Sequence, residues 1–418
     1  MTVWIIPDGI TKITNEYVRD NMQEVTTEVV IPESVRRIGV QAFSGCTRLV
    51  SVVISKSVEN ICSWAFNGCE SLQSVVIPEG VESIGYDAFS GCTSLQSVVI
   101  SSSVKMIKEG AFSGCTSLES FVIPEGVESI GDHAFAGCTG LQSVVIAEGV
   151  KSIGKSAFSK CTNLTSVKIA NGVEIIGEGA FSDCTGLASV MIPESVGSVG
   201  MAAFARCTSL ASVVISNGVE SVHMFAFSNC TSLESVVIPE SVRGIDHDTF
   251  SGCTALNSIV LPDALVANTV KYTNTSYQTV IRYSDFIEWK RDNGLAGKSY
   301  SDQAILFLYQ LQNIETFTPA WSEVLKQCPE VRMYDLLKFV DKKTMCLPEF
   351  FRSNGSCDVD EQMADAEKRN HCFEVSIDGN DCPGFADALL QNLSLSDGAS
   401  FFCTAKDKDF RIINLAIV

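Results

Sequence analysis

A 23-residue repeat occupies more than half of the chain and constrains its fold more than any other feature. Ten copies follow one another without insertion or deletion, each roughly I-P-E-x-V-x-x-I-G-x-x-A-F-x-G-C-T-x-L-x-S-V-V. The copies begin at Ile31, Ile54, Ile77, Ile100, Ile123, Ile146, Ile169, Ile192, Ile215 and Ile238. A period of this length is typical of a solenoid, in which each copy forms one turn and buries its apolar face only against neighbouring turns.

Two apolar columns of the repeat predict what lies inside the solenoid. Phenylalanine recurs once per copy from Phe43 to Phe250, and leucine recurs from Leu49 to Leu256. We expect the phenylalanines to form a stacked spine, because ring burial is among the largest single contributions to a core. The segment L-x-S-V-V-I alternates and is rich in β-branched residues, which predicts strands that stack into a parallel sheet. At a strand spacing of about 4.8 Å, ten turns would make a body roughly 50 Å long.

Both ends of the repeat are irregular, as expected of turns that must cover an exposed core. Residues 5–18, IIPDGITKITNEYV, echo the repeat with Tyr17 and Val18 in place of Ala and Phe. At the other end, an eleventh turn begins at Leu261 and dissolves into ANTVKYTNTS. We therefore predict an N-terminal cap at 1–30 and a ten-repeat solenoid at 31–265.

A cysteine stands at the same place in every copy, from Cys46 to Cys253. Stacked neighbours would lie within the Cα separations of disulfides, but their Cβ vectors would point in parallel rather than toward each other. A column also gives a line of ligands, whereas zinc needs a tetrahedral cluster. We therefore predict a packing ladder of free thiols, each a small apolar group with a weak donor. Cys62 is the one repeat cysteine outside this ladder.

The units AFSGCTSLQSVVIPEGVESIG resemble the BspA-like class of leucine-rich repeat, whose signature is A-F-x-x-C-x-x-L-x-x-V-x-I-P. The resemblance covers about residues 5–265 and leaves 266–418 unexplained. It implies a curved solenoid that binds proteins or other macromolecules, and it implies no enzymatic activity. We expect no cofactor.

The net charge is −19, and much of the acid follows the repeat. One acidic column comes directly after the proline position and contains Glu33, Glu79, Glu125, Glu148, Glu194, Glu240 and Asp263. A second column contains Glu59, Glu82, Glu128, Glu174 and Glu220. These columns form either a solubilising rim or a surface that steers a basic partner. Both readings disfavour nucleic acid, whose phosphates such a surface would repel.

Each strand of the repeat carries one outward apolar residue, and these residues are the main binding candidates. The candidates are Val76, Val99, Val122, Val145, Lys168, Met191 and Val214. They belong to a column that runs from Val53 to Val260, beside a column of serines from Ser51 to Ser258. Contiguous exposed apolar surface often marks an interaction site. Alternatively, β-propensity alone fixed valine at this outward position and duplication of the repeat copied it, so that no binding role is needed to explain the column.

The two residues before Ala-Phe vary most between copies, so the fold does not dictate their side chains. Four large side chains at these positions are further binding candidates: Trp64, Tyr86, Met224 and Phe225. Loop filler is the alternative reading. Three histidines, His133, His223 and His247, show no metal-ligand spacing, so we expect no metal site among them.

The repeat stops near residue 266, and the composition changes. We predict a linker at 266–283 and a smaller, mostly helical α+β domain at 284–418. Helical patterns lie at 302–314, 320–328, 331–344, 358–370 and 383–393, and β-like runs lie at 372–378, 400–405 and 410–418. We identify no family in this region.

The C-terminal region carries too little of any known catalytic pattern to predict an enzyme. It has no C-x-x-C, G-x-S-x-G, H-E-x-x-H or phosphate-binding loop. His371 could activate Cys346, Cys357 or Cys403 as a nucleophile, and Cys357, His371, Cys372 and Cys382 could hold zinc with irregular spacing. The function predicted first is therefore a protein-interaction scaffold that binds a macromolecular partner through the solenoid and could act as a host- or partner-directed effector. A catalytic C-terminal domain that the repeats direct to its target remains the alternative.

No signal peptide or membrane-spanning segment is visible in the sequence. We therefore expect a cytoplasmic protein with reduced thiols, unless a non-classical route exports it. An adhesin would require surface display. We also expect a monomer that binds a protein or another macromolecule on its solenoid face, with no membrane insertion.

Overall fold

The computed structural model describes residues 2–266 and 279–292, together with the backbone of 372–378, 400–406 and 412–417. The chain divides into two compact units, Met1–Phe286 and Ile287–Val418. Within the described residues no helix is long and apolar enough to cross a membrane.

The Ser-Val-Val-Ile segments form the predicted parallel strands, one in each turn. These broad strands are β1 (Thr2–Ile5), β3 (Thr26–Val30), β5 (Ser51–Val53), β7 (Ser74–Ile77), β9 (Ser97–Ile100), β11 (Ser120–Ile123), β13 (Ser143–Ile146), β15 (Ser166–Ile169), β17 (Ser189–Ile192), β19 (Ser212–Ile215), β21 (Ser235–Val237), β23 (Ser258–Leu261) and β24 (Thr279–Arg282). They stack in chain order, and equivalent residues of neighbouring turns lie opposite each other, as Val76 does to Val99. This broad sheet confirms the solenoid.

A second parallel sheet, which the sequence reasoning missed, is built from two-residue strands. These short strands are β2 (Lys12–Ile13), β4 (Arg37–Ile38), β6 (Asn60–Ile61), β8 (Ser83–Ile84), β10 (Met106–Ile107), β12 (Ser129–Ile130), β14 (Ser152–Ile153), β16 (Ile175–Ile176), β18 (Ser198–Val199), β20 (Ser221–Val222) and β22 (Gly244–Ile245). They run as one continuous sheet from β2 to β22. Except between β9 and β11, which belong to different sheets, the turns are therefore joined along two separate ladders.

The broad sheet is weakened wherever a strand followed by proline comes after a strand that is not followed by proline. β9 and β11 belong to different sheets, and a single residue pair joins β5 to β7, β15 to β17 and β19 to β21. The later strand of each pair is followed by Pro78, Pro124, Pro193 or Pro239. Proline has no N–H to donate to the preceding turn. At Ser101, Ala170 and Ser216, where the column has serine or alanine, that bond forms, as from Ser101 N to Ile77 O at 3.2 Å.

The predicted phenylalanine spine is confirmed. Ten rings from Phe43 to Phe250 stack in sequence, with neighbouring centroids 5.0–5.6 Å apart and ring planes within 13° of parallel. The largest tilt falls between Phe112 and Phe135, where Phe121 replaces the inner valine and contacts both rings. The rings belong to one core that continues from turn to turn.

The N-terminal cap forms an additional turn around the same core. β1 and β2 extend the two sheets, and α1 (Asn15–Asn21) stands where other turns place their Ala-Phe corner. Val18 is buried in this helix, and Trp4 stacks on Tyr17 at a centroid distance of 5.9 Å. The hydroxyl of Thr14 caps α1 by accepting the N–H of Tyr17.

The solenoid unit continues past the predicted end of the repeat. After α2 (Asp263–Val266), β24 pairs in parallel with β23, and α3 (Tyr283–Asp292) follows directly. The segment predicted as a linker, 266–283, therefore contains the last strand of the broad sheet. β24 is identified by its parallel pairing with β23, because its sequence, TVIR, does not follow the apolar pattern of the repeat.

In the C-terminal region the three predicted β-like runs form strands β25 (Cys372–Asp378), β26 (Ser400–Lys406) and β27 (Ile412–Ile417). β25 and β26 are parallel, while β26 and β27 are antiparallel. The helices predicted within 302–393 lie outside the described residues, so the prediction of a mostly helical domain is not tested.

Candidate functional site

The outer face of the broad sheet carries a column of exposed apolar side chains. Strand alternation turns Val75 and its equivalents into the core and Val76 and its equivalents outward. Val122 is the most exposed of the repeat valines, with 66% of its surface accessible. Among the sequence candidates, Val76, Val99, Val122, Val145, Lys168 and Met191 are all exposed. Their strands hold them in one line down the sheet.

Two residues that the repeat pattern did not include extend this column at its N-terminal end. Ile5 lies opposite Val30, and Val30 lies opposite Val53. Ile5 is exposed and Val30 half-buried. We call the whole column the outer strip, and its residues are Ile5, Val30, Val53, Val76, Val99, Val122, Val145, Lys168 and Met191. Ile5 escaped the pattern because it stands 25 residues before Val30 rather than 23, whereas Val30 keeps the 23-residue spacing to Val53 but precedes the first copy.

The C-terminal end of the column differs from the expectation of an exposed face. Val214 is half-buried, and Val237 and Val260 are buried. Neither Val237 nor Val260 belongs to the continuous core, although both are buried, so their side chains are covered on the outer side of the sheet. Val214 therefore lies at the boundary between the exposed and covered parts of the face.

The acidic column after the proline position runs along one flank of the outer strip. Its glutamates are Glu33, Glu79, Glu125, Glu148, Glu194 and Glu240, all exposed. Within the described residues none of these six forms an ion pair with a basic side chain. In the second acidic column, by contrast, Glu174 pairs with Lys151 at 3.7 Å. Among the described residues, the carboxylates of this first column therefore have no ion-pair partner.

The variable pair before Ala-Phe lies beside the short strands, away from the outer strip along each turn. Its second residue has a positive φ in all ten copies, from Gln41 to Asp248. Glycine, asparagine and aspartate tolerate this conformation, whereas bulky side chains are strained in it. Trp64 and Phe225 nevertheless hold φ values of 57° and 61°. The fold thus fixes the backbone of a position whose side chain varies.

Of the four large corner side chains, three are exposed and one is half-buried. Trp64, Tyr86 and Phe225 are exposed, while Met224 is half-buried. The ammonium of Lys108 lies 5.3 Å from the centre of the Tyr86 ring, within the range of a cation–π contact. The corner therefore offers aromatic surface at two places, in the early turns and in the late ones.

The cysteines of the repeat form the predicted ladder of free thiols. From Cys69 to Cys253 each thiol is buried and donates a hydrogen bond to the carbonyl oxygen of the phenylalanine in the preceding turn, at 3.0–3.3 Å. Burial raises the pKa of Cys92 and of Cys207 to about 12. Thiols of this kind are not nucleophiles at neutral pH. Cys62 is half-buried and lies outside the ladder.

Within the described residues, no three His, Cys, Asp or Glu side chains come together as metal ligands. His223 contacts the carboxylate of Asp246 at 3.2 Å. The alternative catalytic and zinc residues of the C-terminal region, Cys346, Cys357, His371, Cys372, Cys382 and Cys403, have side chains outside the described part of the chain.

Comparison with known proteins agrees with the repeat geometry. The family described as "BspA type Leucine rich repeat region" matches six copies, over residues 11–142, 105–231 and 180–279. No curated protein matches the chain.

Several solved leucine-rich repeat structures are similar to it. A leucine-rich cell surface protein from Faecalibacterium prausnitzii is 32% identical over 66% of this chain and 83% of its own, with a TM-score of 0.41. A leucine-rich repeat protein from Bacteroides ovatus is 27% identical over 67% and 92%, with a TM-score of 0.41. A T. pallidum leucine-rich repeat protein is 26% identical over 60% and 85%, with a TM-score of 0.34. With its stacked turns, phenylalanine spine and cysteine ladder, the chain belongs to the BspA-type leucine-rich repeat family.

Proposed function

We propose that the chain is a protein-binding scaffold and that the outer strip is its main contact surface. One observation carries this proposal: exposed apolar side chains line up over successive turns of a sheet whose other face is buried in the core. A soluble protein rarely exposes contiguous apolar surface without an interaction to cover it. The residues proposed to make contact are Val76, Val99, Val122, Val145, Lys168 and Met191.

The strip is well suited to binding because its side chains are already fixed. Valine has one rotatable side-chain bond, and each strand is paired to at least one neighbour, so little conformational entropy is lost when a partner covers the face. Covering a half-exposed valine contributes about 1 kcal/mol. A run of several valines can therefore supply substantial affinity without any rearrangement of the solenoid.

Lys168 and Met191 interrupt the valines and are proposed to select the partner. Lys168 lies opposite Val145 in the neighbouring strand, so a charge enters the apolar line at that point. Met191 adds a flexible, polarizable side chain one turn further on. Val214 is proposed only as an edge contact, because it is half-buried.

A second contact surface is proposed at the corner, with Trp64, Tyr86, Met224 and Phe225. Trp64 and Phe225 keep a strained positive φ although their side chains are exposed, so no core packing offsets the strain. Strained residues persist where the surrounding structure fixes their backbone, as the repeat does here in all ten copies, and they cluster at functional sites. This favours a contact role for them over loop filler.

We further propose that the chain acts without enzymatic activity and as a monomer, with a cytoplasmic location. Membership of a repeat family built for binding supports the first point. The first of the similar structures is described as a cell surface protein, so the location needs a direct measurement by fractionation of the source cells.

Replacing the valines tests the proposed function. A variant with Val76, Val99, Val122 and Val145 changed to glutamate should lose capture of its partner by the immobilised full chain. A matched control changes Ser83, Met106, Ser129 and Ser152 to glutamate, on the short strands that follow these four valines along the chain. The control should retain capture. Equal loss in both variants, or retention in both, would contradict the proposal.

A further inference from the structure

We propose that the partner presents a basic amphipathic α-helix, which lies along the solenoid axis over Val76, Val99, Val122 and Val145. This inference rests on the proposed function and names the chemistry of the occupant. It comes from three features of the outer strip: its spacing, the charge on one flank and the lack of charge on the other.

The spacing of the four valines favours a helix over an extended segment. Val76 lies opposite Val99 and Val122 lies opposite Val145, while β9 and β11 between them are stacked but belong to different sheets. At about 4.8 Å for each of the three steps, Val76 and Val145 lie roughly 14 Å apart. Three turns of an α-helix cover about 16 Å, so a helix can place one apolar residue beside each valine with a small drift. Side chains on one face of an extended strand repeat every 6.6–6.8 Å, roughly 20 Å over three steps, and lose register after one turn of the solenoid.

The acidic column after the proline position, on one flank of the outer strip, favours a partner with positive charge on that side. Glu79, Glu125 and Glu148 stand three residues after Val76, Val122 and Val145, so each lies within about 10 Å of its valine. All three carboxylates are exposed and lack an ion pair within the described residues. A helix is about 10–12 Å across, so a lysine or arginine on its side reaches this column while its apolar face covers the valines.

The opposite flank of the outer strip is nearly neutral, and this difference between the flanks sets the orientation of the partner helix. The residues before the strands include Gln73, Gln96 and Gln142, which are exposed, and serine follows each of them. Glu119 is the one acidic residue at this position in the four turns. A partner helix that is basic on one side and polar on the other therefore fits in one orientation, with its cations toward Glu79, Glu125 and Glu148.

A synthetic peptide provides the direct test. The probe is a capped helix of about 18 residues, or five turns, with leucine facing one side, lysine along one flank and glutamine elsewhere. Its affinity for the full chain is measured by fluorescence anisotropy at low and at high salt. Two further peptides serve as controls: a scrambled sequence of the same composition, and a version with glutamate in place of lysine.

The variants separate the two parts of the surface. We expect E79Q/E125Q/E148Q to weaken binding of the probe about tenfold at low salt and to remove most of its salt dependence. We expect V99Q/V122Q to weaken it by a similar factor while the salt dependence remains. Both sets of positions are exposed, and thermal unfolding of each variant should match the unmodified chain.

Other results would overturn the inference. Equal affinity of the probe and the scrambled peptide would show attraction by charge alone. If the lysine and glutamate peptides bind with equal affinity, and V99Q/V122Q abolishes the binding of both, the partner helix need not be basic. That result would reject the basic helix and leave the outer strip as a binding face. Binding that ignores the valines, or no binding up to about 1 mM, would reject the helix on this face. The proposed function fails separately, if the natural partner still binds the four-glutamate variant.

Discussion

The thiol of Cys138 donates a hydrogen bond to the carbonyl oxygen of Phe112 in the preceding turn, with Sγ and O 3.1 Å apart. The same oxygen accepts the N–H of Cys115 at 3.2 Å. Both lone pairs of the buried carbonyl are therefore used, one within the turn and one between turns. The cysteine column thus connects successive turns through hydrogen bonds without any covalent or metal link.

Replacing Cys138 by alanine should destabilise the solenoid by about 1–2 kcal/mol, because it leaves a cavity and removes one bond from a buried carbonyl. Urea unfolding followed by circular dichroism measures the change. Cys62→Ala is the control, since Cys62 is half-buried and outside the ladder, and it should cost less than about 0.5 kcal/mol. Equal effects of the two substitutions would show that the ladder bond contributes little.

Stability should fall in alkali because of the buried thiols. Burial raises the pKa of Cys92 from its ordinary value of 9.0 to about 12 in the folded state. Above pH 9.0 the unfolded chain releases this proton while the folded chain keeps it, so unfolding is favoured. The stability contributed by this protonated thiol is fully present below pH 9.0 and is lost as the pH rises from 9.0 to about 12. The loss is about 1.4 kcal/mol per pH unit for each such thiol.

Urea midpoints measured from about pH 7 to pH 10 test this dependence. The variant C92A/C207A removes two of the responsible groups and should show a shallower fall. A pH profile that is unchanged in this variant would exclude these two thiols as its cause.

Trp64→Asn should increase stability by about 1 kcal/mol, since asparagine tolerates the positive φ that strains tryptophan. The matched control is Tyr86→Asn, one turn on, where the backbone does not have a positive φ. Thermal unfolding should rise for the first variant and not for the second. A gain at both positions, or at neither, would contradict the assigned strain.

Ala170→Pro should weaken the broad sheet at a place where it is now continuous. Ala170 donates its N–H to the oxygen of Ile146 at 3.1 Å, and proline would remove that bond at a cost of about 1–2 kcal/mol. Ala170→Ser keeps the N–H and should change little, because serine occupies the same column at Ser101 and Ser216. Amide hydrogen exchange of β15 should accelerate only in the proline variant.

The features that the sequence predicted are those that repeat in every copy. The spine from Phe43 to Phe250 and the ladder from Cys69 to Cys253 recur without exception, because each turn packs only on turns like itself. The short strands escaped prediction because two residues are too few to show alternation. The weak pairings of the broad sheet were visible in principle, since Pro78, Pro124, Pro193 and Pro239 each remove one donor.

The sequence predicted the middle of the outer strip correctly as exposed, but not the two ends of the same column. Val76 to Met191 point outward because strand alternation decides it locally. Ile5 was missed because it stands 25 residues before Val30 rather than 23, and Val30 was missed because it precedes the first copy, although it keeps the 23-residue spacing to Val53. The covering of Val237 depends on what packs on the sheet from outside, which no pattern within a turn can reveal. The side-chain roles at the strip and at the corner stay predictions.

The most direct test of a binding role for the outer strip places a photo-crosslinking amino acid at Val122 in the full chain. The matched position is Met106, which is exposed on the short-strand sheet in the same repeat copy. With the source-cell proteins present, we predict a defined adduct at position 122 that disappears when Val99 and Val145 are changed to glutamate, and no such adduct at position 106. The same adduct at both positions, or one at 106 alone, would contradict the account.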